Sequence, residues 1–406
     1  MANTPDLNSP KDHVDKARWL VGEMDKRDGL APVDVEKFWA DEAVAGRNPL
    51  GKNIPQAALG IFMSGECVYD ELGIAEDYWR YDHDHVWRLE LNKAYNDKAE
   101  KIVGKRLLSE TPHDPTRHYP WVKTLADVFE AKSVWNDWSW WLQESAHDEG
   151  ELEALLDRVE VRLGNLRSFL LPENWDAEKA RLTALGVKSP LYRSQRGPCT
   201  FACSIFGAEN TLMLCLDNRA LAERFRDTIC RAMLGIGQVL DAERGWTVEN
   251  SKDGNGRGFW FFDDNSCLFN PEMYEFFGFP ILRAIFDRYA PDPGNTRFQH
   301  SDSAMGHLLP LLSRLEMTGT NFGPTVTVSE IRKHLPRAVI EGQLAPFTFS
   351  RNEHERIVLE FLRDFEQAGE KRGLKFATAG SINNGSRLTS LRLVMAAIQH
   401  FGRYEA

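Results

Sequence analysis

Apolar residues recur every three or four positions near the start of the chain. Ala17, Leu20, Val21 and Met24 fall on one helical face, and a second helix is expected from Val33 to Ala45. Pro49 and Pro55 make Ala45–Gln56 turn-rich, which marks a boundary. The run AALGIFMS (Ala57–Ser64) is short, apolar and flanked by breakers, as a buried parallel strand would be. Residues 74–190 have a different texture, with aromatic clusters in DYWRYDHDHVWRLE and in WNDWSWW (Trp135–Trp141). One element stands out there: a helix over Glu149–Leu163, with Leu152, Leu155, Leu156, Val159 and Leu163 on one face.

From Ser189 onward, apolar runs alternate with amphipathic stretches. Strand-like runs are expected at Thr200–Gly207, Phe259–Asp264, Thr296–Ser303, Gly319–Pro324, Arg337–Pro346 and Leu374–Ile382. Helices are expected at Asn218–Arg244, after the Asn270–Pro271–Glu272 start signal, at Ala304–Met317 and from Ser329. A further helix follows a capping box at Ser350 and Glu353, carries Val358, Phe361, Leu362 and Phe365 on one face, and stops near Gly373; the last spans Leu388–Phe401. Strand–helix alternation implies a parallel sheet, open or closed into a barrel. In a (β/α)8 barrel the carboxyl ends of the strands share the face that holds the active site. Here the runs end in Asp263 and Asp264, His300 and Asp302, Asn321, Glu341 and Gln343, then Ser381 and Asn383. Such residues also serve as turn formers and helix caps, but their recurrence at successive strand ends points to one shared pocket.

Four segments carry a family resemblance. In order they are RGPCTFACSIFGAEN (Arg196–Asn210), FFDDNSCLFNPEMYEFFGFP (Phe261–Pro280), FQHSDS with LLPLLSRLEMTGTNFGP, and VIEGQLAPFTF through GRY (Val339–Tyr404). As an ordered set, over roughly the last half of the chain, they resemble the uroporphyrinogen decarboxylase superfamily. The resemblance implies a (β/α)8 TIM-type barrel over residues 51–406, with a helical extension at 1–50, an insertion at about 74–190, a deep cleft at the strand carboxyl ends and a homodimer. It also implies one of two chemistries. Metal-free decarboxylation uses an early Arg-Gln-Ala-Gly-Arg-Tyr type segment and a Ser-Asp pair; this chain has Met63–Ser64–Gly65–Glu66–Cys67 there. Methyl transfer between a corrinoid and a thiol uses zinc held by His-x-Cys and a later Cys. Here the matching segment is His300–Ser301–Asp302, and no cysteine follows Cys267. Zinc that activates a thiol favours sulfur and imidazole ligands, so this donor set departs from that pattern.

His300 and Asp302 stand at i and i+2 and so face one side of a strand. His300, Asp302 and Glu341 suit an oxygen-rich site for zinc, manganese or iron. Asp263, Asp264, His300 and Asp302 equally suit metal-free acid–base catalysis, because clustered carboxylates raise one another's pKa. A buried hydrogen-bonded histidine beside a helix-capping aspartate is the plain structural alternative. Arg193 and Arg196 flank a strand start and fit either exposed ion pairs or a clamp on a substrate carboxylate. Glu66, with Cys67, borders the expected cleft, and Asn321, Gln343 and Asn383 are further candidates for substrate contact. The glycines of DGNGRG (Asp253–Gly258) precede a strand, whereas a phosphate loop follows one, so a turn is expected. His83 and His85 form an H-x-H pair, read as a surface loop.

Composition narrows the field. Sixty acidic against 49 basic residues give a net charge of -11, which disfavours nucleic-acid binding. Six cysteines in 406 residues make no disulfide framework, and Cys199 and Cys203 lack a second pair at zinc-ribbon spacing; reduced thiols and a cytoplasmic setting are expected. No long apolar run and no secretory h-region occur, so neither a membrane span nor a signal is expected. The leading expectation is an enzyme acting on a carboxylated small organic substrate by decarboxylation or related lyase chemistry. The second is a corrinoid-linked methyltransferase with a His/carboxylate metal site and a corrinoid-protein partner. The third is a non-catalytic barrel whose aromatics at Trp87 and Trp135–Trp141 line a binding pocket.

Overall fold

The computed structural model describes residues 9–246 and 258–404, so the turn expected at Asp253–Gly258 lies outside the described residues except for Gly258. The strands are β1 (Ala58–Leu59), β2 (Ser133–Asn136), β3 (Ser139–Leu142), β4 (Gln195–Arg196), β5 (Gly258–Phe262), β6 (Thr296–Ser301), β7 (Gly319–Phe322), β8 (Val339–Leu344) and β9 (Leu374–Thr378). The fold is mixed α/β, and its main strands pair in parallel. Among the described residues seven strands belong to parallel pairings, one fewer than an eight-stranded barrel. β2 and β3 form an antiparallel hairpin from the tryptophan-rich segment, with Trp138, Trp140 and Trp141 exposed.

The chain divides into two compact units. The first comprises residues up to His113, then Asp302–Gly306, and Gly319 onward; the second comprises Asp114–Ser301 and His307–Thr318. The expected 1–50 extension therefore belongs with the carboxyl-terminal elements. Helix Lys11–Asp25 packs on helix His354–Ala368, and Asp34 N donates to Gln399 Oε1 at 2.9 Å.

In the first unit β9 lies between β1 and β8, and β8 pairs in turn with β7. The apolar run at Ala57–Ser64 contributes only the short β1; beyond it, Ser64 caps a turn over Gly65–Cys67. Val358, Phe361 and Leu362 are buried on helix His354–Ala368, each such side chain contributing roughly 1.5–3 kcal/mol. The capping box expected at Ser350 and Glu353 is absent. Ser350 instead closes the preceding helix Pro346–Ser350, and Glu353 is an N-cap without a side-chain bond. Helix Leu388–Phe401 has its expected bounds.

In the second unit β5 pairs with β4 on one side and β6 on the other. Phe259 and Phe261 are buried, packing on Tyr289 and Phe286 with ring centroids 5.8 and 5.6 Å apart. Helix Arg219–Arg244, with Asn218 as its cap, and helix Glu149–Leu163 fall where the periodicity puts them. Thr200–Gly207 departs from expectation: it lies in helix Pro198–Phe206, not in a strand. A short, wholly apolar run fits a buried helix as well as a strand, and Pro198 at N1 decides for the helix. The helix expected at Ala304–Met317 is broken into 3-10 turns around Leu309–Leu312; Pro310 lacks the N–H that a continuous helix needs. Among the described residues no single helix is long and apolar enough to cross a membrane.

Candidate functional site

In the second unit β5 and β6 run parallel with Phe262 opposite His300, and Asp263 N donates to His300 O at 2.9 Å. This register brings the two acids that follow β5 beside the histidine that ends β6. Successive residues point to opposite sides, so the acids have different fates. The Asp263 side chain is fully buried. Its Oδ1 accepts from Thr200 N at 2.7 Å, capping helix Pro198–Phe206, and among the described residues Oδ2 has no hydrogen-bond partner. Burial pushes its carboxyl up to about 7, against the opposing bond from Thr200. A Cβ on residue 197 would lie 2.1 Å from Asp263 Cβ, so Gly197 is what lets the helix start so close.

Asp264 is half-buried and opens a 3-10 turn over Asp264–Leu268; Asn265 N donates to Thr200 Oγ1 at 2.9 Å and ties that turn to the same helix. A carboxylate oxygen of Asp264 and a ring nitrogen of His300 lie within 4.8 Å of one another, close enough to share one small ion. His300 is half-buried, with its ring 5.6 Å from that of Phe262.

Arg193 corrects an expectation. It is buried rather than exposed, with Nη1 2.8 and 2.9 Å from the two Asp241 oxygens and Nη2 3.1 Å from Gly258 O. Gly258 is the first residue of β5, so Arg193 sits at the end of that strand opposite the two acids and cannot clamp a substrate beside them. Arg196 is exposed at the end of β4. The thiols of Cys199 and Cys203 lie four apart on the buried helix, and burial raises both, Cys203 to about 12, so they remain protonated and are poor metal ligands.

In the first unit most of the nominated polar residues are spent on structure. Asn321 Nδ2 donates to Glu341 O at 2.6 Å and Thr378 O at 2.9 Å, tying β7, β8 and β9 together. Gln343 is buried, and its Nε2 lies 3.1, 3.1 and 2.7 Å from the carbonyls of Phe322, Gly323 and Val326. The Glu341 carboxylate accepts from Lys375 Nζ at 2.9 Å. Asp302 accepts from Ser381 Oγ at 3.1 Å. Asn383 is half-buried in the loop after β9, where its carbonyl accepts from Ser386 N at 3.3 Å. Glu66 is half-buried, and burial raises its carboxyl; Cys67 is buried and its thiol is pushed up to about 12. The histidine pair is on helices rather than in a loop: His83 Nδ1 meets Trp79 O at 2.8 Å, and His85 Nδ1 meets Arg88 Nη2 at 2.7 Å. Thr200 and Gly197, which organise the turns around the acids, escaped the sequence reading; the Gly197–Pro198 pair, a helix start, was the available signal.

No family model matches the chain, and no curated protein matches it in sequence. Its fold is similar to that of a methyltransferase from Methanosarcina mazei: the two are 14% identical, with a TM-score of 0.54, and the match covers 89% of this chain and 98% of the other. At that identity the likeness is one of fold.

Proposed function

We propose that this protein is a methyltransferase of the corrinoid-linked type on a TIM-type barrel, with a divalent cation held by Asp264 and His300. The observation that carries the reading is the Asp264–His300 pair within 4.8 Å at the ends of two parallel strands, on a fold similar to that of a methyltransferase. An imidazole and a carboxylate suit zinc, manganese or iron, and such an ion, when bound, would supply a Lewis acid for an oxygen-bearing substrate. The chain's own contribution is positional: Asp263 N fixes the His300 backbone, and the Thr200-tied turn fixes Asp264. A corrinoid-carrying partner protein belongs to this reading. Asp263, one of the four acid–base candidates of the decarboxylase reading, is fully buried against a helix start, whereas Asp264 and His300 are half-buried.

The test mixes the protein with methylcobalamin and a panel of thiol, alcohol and amine acceptors and follows the cobalamin spectrum. Demethylation that falls at least 100-fold in both Asp264→Ala and His300→Ala is expected. Unchanged rates in both variants, or release of carbon dioxide from a carboxylated substrate with no methyl transfer, would overturn the reading.

A further inference from the structure

A cleft of about 1170 Å³ opens in the second unit at the other end of the strands that carry Asp264 and His300. It reaches Trp260 of β5 and Thr296, the first residue of β6, about 13 Å of strand from His300 at ~3.3 Å per residue. Its lining is unlike the chain as a whole, whose net charge is -11. Lys179, Lys188, Arg193 and Arg244 face the cleft, and among the described residues Glu243 is the one carboxylate in its wall.

Two of these cations are already matched: Lys179 Nζ pairs with Glu243 at 2.9 Å and Arg193 with Asp241 at 2.8 Å. Lys188 is exposed, and among the described residues neither it nor Arg244 forms an ion pair with a carboxylate. The Arg244 guanidinium carbon sits over the Trp246 ring, 3.6 Å from its centroid, and Nη1 donates to Leu191 O, which together restrict the side chain. Tyr192 and Trp260 lie side by side with centroids 5.7 Å apart, and Tyr192 is 45% exposed, so aromatic surface is open beside the cationic groups. Helix Arg219–Arg244 ends here with its negative pole, but Gly245 N and Trp246 N cap the Ala242 and Asp241 carbonyls, and Arg244 in the last turn opposes what remains.

We propose that this cleft is a second binding site, for a planar aromatic molecule carrying an anionic group, with Lys188 and Arg244 on the anion and Tyr192 and Trp260 on the ring. The cleft is larger than the 300–1,000 Å³ range usual for small-molecule sites, so a nucleotide-sized ligand fits. The site does not depend on the proposed methyl transfer, because it shares no side chain with Asp264, His300 or Asp302.

Titration calorimetry with AMP and with naphthalene-1-sulfonate tests it, using adenosine (ring without charge) and inorganic phosphate (charge without ring) as controls. At least one of the two aromatic anions is expected to bind one per chain, at least tenfold more tightly than either control. Lys188→Glu, a change at an exposed side chain, is expected to weaken that binding at least fivefold, and Trp260→Ala likewise, while His300→Ala leaves it unchanged. Failure of both probes to bind at millimolar concentration, equal binding of adenosine, or affinity that survives Lys188→Glu but not His300→Ala would overturn the proposal.

Discussion

The polar strand ends of the two units differ in what they do. In the first unit Asn321 and Gln343 give their amide hydrogens to backbone carbonyls, and Glu341 neutralises Lys375. These are knots that hold neighbouring strands in place. In the second unit Asp263 is a knot of the same kind, but Asp264 and His300 bring ligand-capable atoms within 4.8 Å on half-buried side chains. A polar residue at a strand end is therefore not by itself a functional signal. What marks the Asp264–His300 pair is two ligand-capable atoms brought close together at neighbouring strand ends.

The sharpest break of that comparison lies at Gln343. Gln343→Leu removes a buried amide whose two hydrogens serve the carbonyls of Phe322, Gly323 and Val326; Gly323 O keeps its bond from Val326 N, and the other two lose the amide. Urea denaturation should show a loss of about 3 kcal/mol or more, whereas His300→Ala should cost about 1 kcal/mol or less. Comparable losses in the two variants would erase the distinction between knot and ligand.

The next effect concerns pH. The Asp263 carboxyl is raised from 3.8 to about 7 in the folded protein, so the native state keeps a proton that the unfolded chain releases. Its stabilising contribution is complete below about pH 4 and is lost as pH rises through 7, a decline of up to about 4 kcal/mol. Asp263→Asn keeps the acceptor for Thr200 N but cannot ionise. Melting temperatures measured from pH 5 to pH 8 should fall less in Asp263→Asn than in the parent chain. Parallel curves would show that Asp263 does not titrate in this range.

The smallest effect is expected at Glu341. Its pair with Lys375 is partly exposed on both sides, and Glu341→Gln should change stability by less than about 1 kcal/mol and leave metal affinity unaltered. A drop in metal affinity would restore Glu341 to the ligand set.

Much of this organisation is visible in the residues alone. Helices Glu149–Leu163 and Leu388–Phe401 declare their bounds through periodicity and breakers, and β5 and β6 through short strand-like runs ahead of polar residues. Thr200–Gly207 misleads because a run buried on all sides has no period. Ser350 misleads because a serine that closes one helix resembles one that opens the next. At the site, the nomination of His300 needs only its place at a strand end. The division of labour between Asp263 and Asp264 rests on a one-residue register that composition does not reveal. The role of Arg193 depends on Asp241, 48 residues away along the chain, with no local pattern to announce it.

Cobalt(II) titration, followed by visible absorbance and by calorimetry, tests the central claim most directly. The account predicts about one equivalent bound by the parent chain, and binding at least tenfold weaker in both Asp264→Ala and His300→Ala at unchanged melting temperature. No binding by the parent chain, or equal binding by His300→Ala, would contradict it.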